Sequence, residues 1–197
     1  MYLPAKACPL PFSGIDTDQL IPARFMKRPR SEGYGQFLLH DLRFDETGAP
    51  RPDFPLDAPA CEGAQILVAR RGFGGGSSRE AAVYALVDAG IRVVVAESFA
   101  DIFAGNAVNN GLLPVATPEA AALRAAIGQG AAPARVDLAS RRLSVAGQEL
   151  NFALSETAQA KLMNGWDDID LTRAHAGDIR NFRDRRKADH AWAWPSA

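Results

Sequence analysis

Two short β-branched runs, Ile66 to Arg70 and Ile91 to Ala96, bracket a segment with a different hydrophobic period. From Ser78 to Ala89 apolar residues recur at positions 82, 85, 86 and 89, the spacing of one helix face. Gly90 follows where a left-handed cap residue would stand. The order of strand, glycine-rich turn, helix and strand predicts a parallel βαβ unit with a right-handed crossover at the centre of the protein.

Further along, Thr117-Pro118-Glu119 places proline at a first helical position, and Ala120 to Ile127 continues that helix up to Gly128. The stretch 134 to 154 alternates as hairpin strands do, with candidate strands Arg135 to Leu138, Leu143 to Val145 and Glu149 to Leu154. Ser155 is placed to cap a short helix that Asn164-Gly165 would end. From Arg173 to His190 six Lys or Arg stand against three Asp, the pattern of a solvated helix face, with a docking surface as the rarer alternative. Residues 28–63 differ in texture, with nine Gly or Pro in 36 positions, and predict a long loop; such loops are usually functional or mobile.

Composition changes this picture mainly by exclusion. At 197 residues, 47% hydrophobic and 23% charged, the chain fits one globular domain spanning 1–197, with the loop at 28–63 and a C-terminal helical extension at about 155–190. A net charge of -1 provides no positive field for a nucleic-acid backbone, and no apolar run reaches the ~18 residues of a membrane span. The opening residues lack an apolar core behind a basic start, so a cytoplasmic location is expected. Cys8 and Cys61, 53 positions apart, suggest neither a disulfide framework nor a metal-ligand cluster, and the expectation for each is a small buried hydrophobe.

The sharpest chemical signal is Gly72-Phe73-Gly74-Gly75-Gly76-Ser77-Ser78-Arg79-Glu80, at the handover from strand to helix. Four glycines in five positions let backbone N–H groups approach a ligand, and a helix N-terminus adds partial positive charge, which together suit an anion. Arg79 offers a planar fork for a carboxylate. The plain alternative is that Ser77 or Ser78 merely caps the helix. A second alternative is a nucleotide-binding module, because Gly72-x-Gly74-x-x-Ser77 loosely approximates a dinucleotide fingerprint and Glu97 lies 25 positions after Gly72. Two further stretches carry polar groups beside apolar ones: Asp16-Thr17-Asp18 through Pro22, Arg24 and Met26, and Ser98 to Phe103 followed by Asn106 and Gly111 to Pro114. Taken alone, the first reads as a turn or cap and the second as a capped short helix over Ser98 to Asp101 followed by a turn.

Together, in this order and with the late Met163-Asn164-Gly165 and Asp168-Ile169, these stretches resemble the small-subunit family of 3-isopropylmalate dehydratases, and more distantly the swivelling domain of aconitase. The resemblance covers nearly the whole chain. It implies an α/β fold of the three-layer β/β/α swivelling type and a hydro-lyase that isomerises 2-isopropylmalate to 3-isopropylmalate by dehydration and rehydration. It further implies Ser77 as the catalytic base, with Ser78, Arg79, Gly76, Thr17, Asp18 and Arg24 binding a small hydroxy-diacid. The four-iron four-sulfur cluster of the family is expected on a larger partner subunit, with no metal held by this chain, since two distant cysteines cannot supply its thiolates. Gly75 stands where the family commonly has Cys or Glu, and Ala81 where it usually has His. These departures keep a paralogous dehydratase for another malate-like diacid as an alternative, and an inactive structural subunit as a third. The variable side group of the substrate is expected to meet Arg24 to Met26 and the segment 28–63.

Overall fold

The computed structural model describes residues 2–194. Seven strands, β1 (Tyr2–Leu10), β2 (Ile66–Ala69), β3 (Val93–Ala96), β4 (Leu113–Ala116), β5 (Ala132–Asp137), β6 (Arg142–Val145) and β7 (Gln148–Asn151), form one mixed sheet in the order β4-β3-β2-β1-β5-β6-β7. The first four are parallel, and β5 to β7 add an antiparallel meander on the far side of β1. The helices are α1 (Thr17–Leu20), α2 (His40–Arg43), α3 (Glu80–Asp88), α4 (Asp101–Asn109), α5 (Ala120–Ile127), α6 (Glu156–Asn164), α7 (Asp168–Ala174) and α8 (Ala176–Asp189).

The predicted βαβ unit is present at the centre. Ile66, Leu67 and Val68 pair in parallel register with Val93, Val94 and Val95, and α3 makes the crossover. Both strands are buried on both faces, which is why they read as unbroken apolar runs rather than as alternation. Gly90, at φ +90, ends the helix as expected. Two strands escaped the pattern. β1 contains Pro4 and Pro9, yet β5 pairs with Tyr2 to Ala7 and β2 with Ala7 to Leu10, so each proline has a neighbouring strand on one side only. A missing N–H is tolerated there. Pro114 sits likewise on β4, at the sheet edge.

Alternate residues of the strands feed two cores. Cys8, Leu10, Leu67, Ala69, Val94 and Ala96 pack under α3, α4 and the turns around Tyr34 to Leu39. Ile66, Val68, Val95 and Val115 face the other way, onto α5 and onto Ala134, Leu143 and Val145 of β5 and β6. Sharing that second core requires the sheet to curl back over itself, so the two β layers are the two arms of one continuous sheet.

Three local expectations are corrected. Cys8 and Cys61 are buried, at 0% and 3% exposure, but they are buried against each other as a disulfide with Cα atoms 5.6 Å apart. Their 53-residue separation hid this because segment 28–63 folds back along β1. Closing a loop of that length stabilises the fold by about 4 kcal/mol in the chain-entropy account. Segment 28–63 is a string of one-turn helices, with 3-10 turns at Arg30–Glu32, Gly35–Phe37, Pro55–Asp57 and Pro59–Cys61 beside α2. Its prolines and glycines set the ends of those turns rather than leaving a bare loop. Ser98 does not cap a helix: its hydroxyl accepts from the Gly72 N–H at 2.9 Å, and the helix starts later, at Asp101.

At the C-terminal end Ser155 caps α6 by accepting from the Ala158 N–H, and Gly165 ends that helix at φ +68, both as the sequence predicts. Lys161, buried, donates to Asn109 at 2.7 Å and pairs with Asp168, tying α6 and α7 to α4. α8 has no buried residue and carries its charges into solvent.

Candidate active site

The glycine-rich turn is held by backbone bonds to both of the other motifs. Gly74 donates to the Ile15 carbonyl at 2.7 Å, and Thr17 donates back to the Gly75 carbonyl at 2.9 Å. On the other side Phe73 donates to the Ser98 carbonyl and Ala100 donates to the Phe73 carbonyl, each at 3.0 Å. Three stretches far apart in sequence therefore meet at the C-terminal ends of the parallel strands, where open α/β sheets place their ligand crevices.

Glycine is required at two of these positions. Gly76 has φ +86 and lies against Thr17, where an added Cβ would stand 3.4 Å from its hydroxyl. Gly74 has φ +79 and packs directly on the Phe103 ring. Phe103 is itself fixed by Phe73 and Phe99, with ring centroids 5.3 and 6.3 Å away. The turn and the start of α4 are thus locked together.

The result is a cavity of about 240 Å³ lined by Thr17, Gly74 and Gly76 to Arg79 on one side and by Ala100 to Phe103 with Asn106 on the other. Ser77 and Ser78 both open onto it, and neither caps α3. That helix begins at Glu80 with Arg79 as its N-cap residue and no side-chain cap bond. The Thr17 hydroxyl donates to the Ser77 carbonyl at 2.9 Å and Arg79 is extended, at φ -123 and ψ 104, so the helix begins only after both serines. Ala82 donates to the Arg79 carbonyl at 3.1 Å, and the N–H groups of Glu80 and Ala81, which have no acceptor within the helix, give this end of the cavity its positive character.

Arg79 forms an ion pair with Asp18 across the mouth of the site. Asn110 donates to Glu80 at 2.8 Å, fixing the start of α3 against the end of α4. Of the sequence-predicted residues, Thr17, Gly76, Ser77, Ser78 and Arg79 line one cavity, and Asp18 joins them through Arg79. Arg24 lies apart: its guanidinium grips Asp41, lies over the Phe25 ring, and does not line this cavity. That grip, aided by a hydrogen bond from His40 and opposed by partial burial, holds the Asp41 carboxyl down at about 2. Phe25 stacks on Phe37 with centroids 4.2 Å apart, and Met26 packs on the first core. The lining from α4, namely Asp101, Ile102, Phe103 and Asn106, was only partly foreseen. The i, i+4 spacing of Phe103 and Ala107, the two buried residues of α4, was the available signal for a longer helix there.

Residues 4–120 match the family model of the aconitase C-terminal domain. The 3-isopropylmalate dehydratase small subunit of Rhodospirillum centenum is 45% identical over 195 residues, covering 97% of this chain and 96% of its own. That of Cytophaga hutchinsonii is 49% identical over 185 residues, covering 91% of each. The chain belongs to the 3-isopropylmalate dehydratase small-subunit family. Its fold is shared with a crystal structure of 3-isopropylmalate dehydratase from Methanocaldococcus jannaschii, at a TM-score of 0.67 and 23% identity, over 92% of this chain and 99% of that one. For a member of this family the loose dinucleotide fingerprint at Gly72 to Ser77 is incidental: Gly72 lies against Gly14 and Gly74 against the Phe103 ring.

The described residues of this chain offer no donor set for the iron–sulfur cluster that the resemblance implies. The two cysteines are bonded to each other, and among the described residues no group of three or more His, Cys, Asp or Glu is arranged to hold a metal. Among them, too, no helix is long and apolar enough to cross a membrane.

Proposed function

We propose that this chain is the small subunit of a two-chain hydro-lyase that interconverts 2-isopropylmalate and 3-isopropylmalate. The observation that carries the proposal is the convergence of Thr17, Ser77, Ser78 and Arg79 on one cavity, with both serines free of capping duty. Ser77 takes the carbon-bound proton on its Oγ during dehydration and returns it during rehydration. A serine does this only where its alkoxide is stabilised, and the unpaired N–H groups at the start of α3 with the Arg79 charge are a preorganised set for that purpose. Ser78 and Thr17 donate hydrogen bonds to substrate oxygens, and Arg79 receives a carboxylate. The Asp18 carboxylate holds Arg79 extended at the mouth until the substrate carboxylate takes its place or shares the fork.

The cavity is incomplete for a dianion. Among the described residues Arg79 is the one cationic side chain lining it, Asp101 lines it too, and Asp18 already neutralises Arg79. A second cationic contact and the group that receives the departing hydroxyl therefore come from the larger partner subunit, which by family resemblance bears the four-iron four-sulfur cluster. The setting is a cytoplasmic biosynthetic enzyme.

Two measurements test this. Purified alone, the chain shows no turnover of 2-isopropylmalate, and activity appears when the larger subunit and iron are added. Turnover by the isolated chain after exhaustive chelation would refute the division of labour. In the reconstituted enzyme Arg79→Lys keeps the charge but loses the planar fork, so KM rises by roughly tenfold or more, equivalent to ~1.4 kcal/mol or more. An unchanged KM would remove the carboxylate from Arg79.

A further inference from the structure

Both walls of the cavity carry charge. Arg79 stands beside Ser77 and Ser78 on one, while Asp101 and Asn106 stand among Ala100, Ile102 and Phe103 on the other. Phe103, 2% exposed and held by its contacts with Gly74 and Phe73, forms the floor. The other carboxylates on the converging stretches are engaged. Asp16 caps α1 by accepting from the Gln19 N–H at 2.7 Å, Asp18 pairs with Arg79, Glu80 accepts from Asn110, and Glu97 pairs with Arg124 at 2.8 Å. Asp101 is exposed on the cavity wall, and among the described residues it has no ion pair and no side-chain hydrogen bond. Nor does it cap α4, whose N-cap residue is Ala100, without a side-chain cap bond. A first-turn acid favours the helix dipole, but that modest role does not require a place in an anion site.

We propose that Asp101 is the docking point for a cationic side chain, Lys or Arg, of the larger subunit, and that it positions this cation against the second carboxylate of the substrate. The proposal rests on the function proposed above and names the residue of this chain that holds the partner's contribution. In the open cavity one cation faces two carboxylates, so a dianionic substrate enters a site that is already net negative. When the partner covers the mouth these groups lose their water, and a carboxylate so enclosed is tolerated only with a counter-charge. Arg79 cannot supply it, being taken by Asp18 and by the first substrate carboxylate. A cation carried in by the partner serves both needs, because a guanidinium or ammonium has donors enough to bond Asp101 and the substrate together. Asp101 is therefore a positioning residue, acting on the substrate through the partner's cation.

The test uses the reconstituted two-subunit enzyme with 2-isopropylmalate, and its outcome turns on a sign. Asp101→Asn keeps the shape and removes a negative charge from beside an anionic substrate, so KM falls if Asp101 faces the substrate directly. In the docking role KM rises instead, by about tenfold or more, with a smaller change in kcat. Calorimetry of assembly then shows a subunit affinity weakened by a similar factor and less dependent on salt than that of the wild type. Asp101→Glu, which keeps the charge, restores most of both. The isolated variant chain melts within about 4 °C of the wild type, as expected where only a helix-end charge is lost. A lowered KM, or an unchanged KM with unchanged assembly, overturns the proposal, as does a larger loss of stability that accounts for the lost activity. A wild-type complex inactive on 2-isopropylmalate refutes the proposed function itself, which separates the two failures.

Discussion

Ser77→Ala in the reconstituted enzyme lowers turnover by about 10²–10⁴-fold, the range that a positioned acid–base group contributes. Its effect on stability is small. A capping serine replaced by alanine costs ~1 kcal/mol, but Ser77 makes no cap bond: Arg79 occupies the N-cap position of α3. The anchor of Ser77 is its main-chain carbonyl, which accepts from the Thr17 hydroxyl and survives the substitution. The melting temperature and the affinity for the partner subunit therefore stay near wild-type values while kcat falls. A variant that keeps near-normal turnover transfers the base role to Ser78, the neighbouring hydroxyl in the same cavity. A variant that loses stability in proportion to activity would return Ser77 to a structural role.

The parts of this fold that were legible in the sequence are those where local period and burial agree. β2, α3 and β3 could be read because two runs buried on both faces flank a one-sided helix, and Ser155 and Gly165 frame α6 by ordinary capping chemistry. β1 was illegible because its prolines oppose a strand assignment, and only the offset between its two partners makes them harmless. The Cys8–Cys61 bond was illegible for a related reason: pairing depends on where segment 28–63 returns, and no local pattern encodes that path. In the site, residue types suggested an anion cradle, but that α3 starts only after Ser77 and Ser78 was not legible, the Ser77 carbonyl being held by Thr17, 60 positions away. Arg24 shows the opposite case. It belongs to the motif in sequence, yet Asp41, 17 positions on, holds its guanidinium.

Gly74→Ala is the most destabilising single change expected in this region. At φ +79 an L side chain costs ~1–2 kcal/mol, and the added Cβ would overlap the Cβ and ring of Phe103. Phe103 has nowhere to retreat, being buried and held between Phe73 and Phe99. Overpacking a fixed neighbour adds ~1–3 kcal/mol, for a total of about 3 kcal/mol. In a domain of this size each kcal/mol shifts the melting temperature by about 2–4 °C, so a fall of roughly 10 °C is expected in calorimetry. Gly75→Ala is the matched control. Its φ is not positive, and the nearest atom to an added Cβ is the Gly72 carbonyl oxygen at 4.0 Å, so the melting temperature stays within about 2 °C. That contrast separates the two neighbours: position 75 has room for a side chain and the one before it does not. If Gly74→Ala melts within about 2 °C of wild type, the turn and α4 are not locked through Phe103, and the fixed floor assigned to the cavity is lost with them.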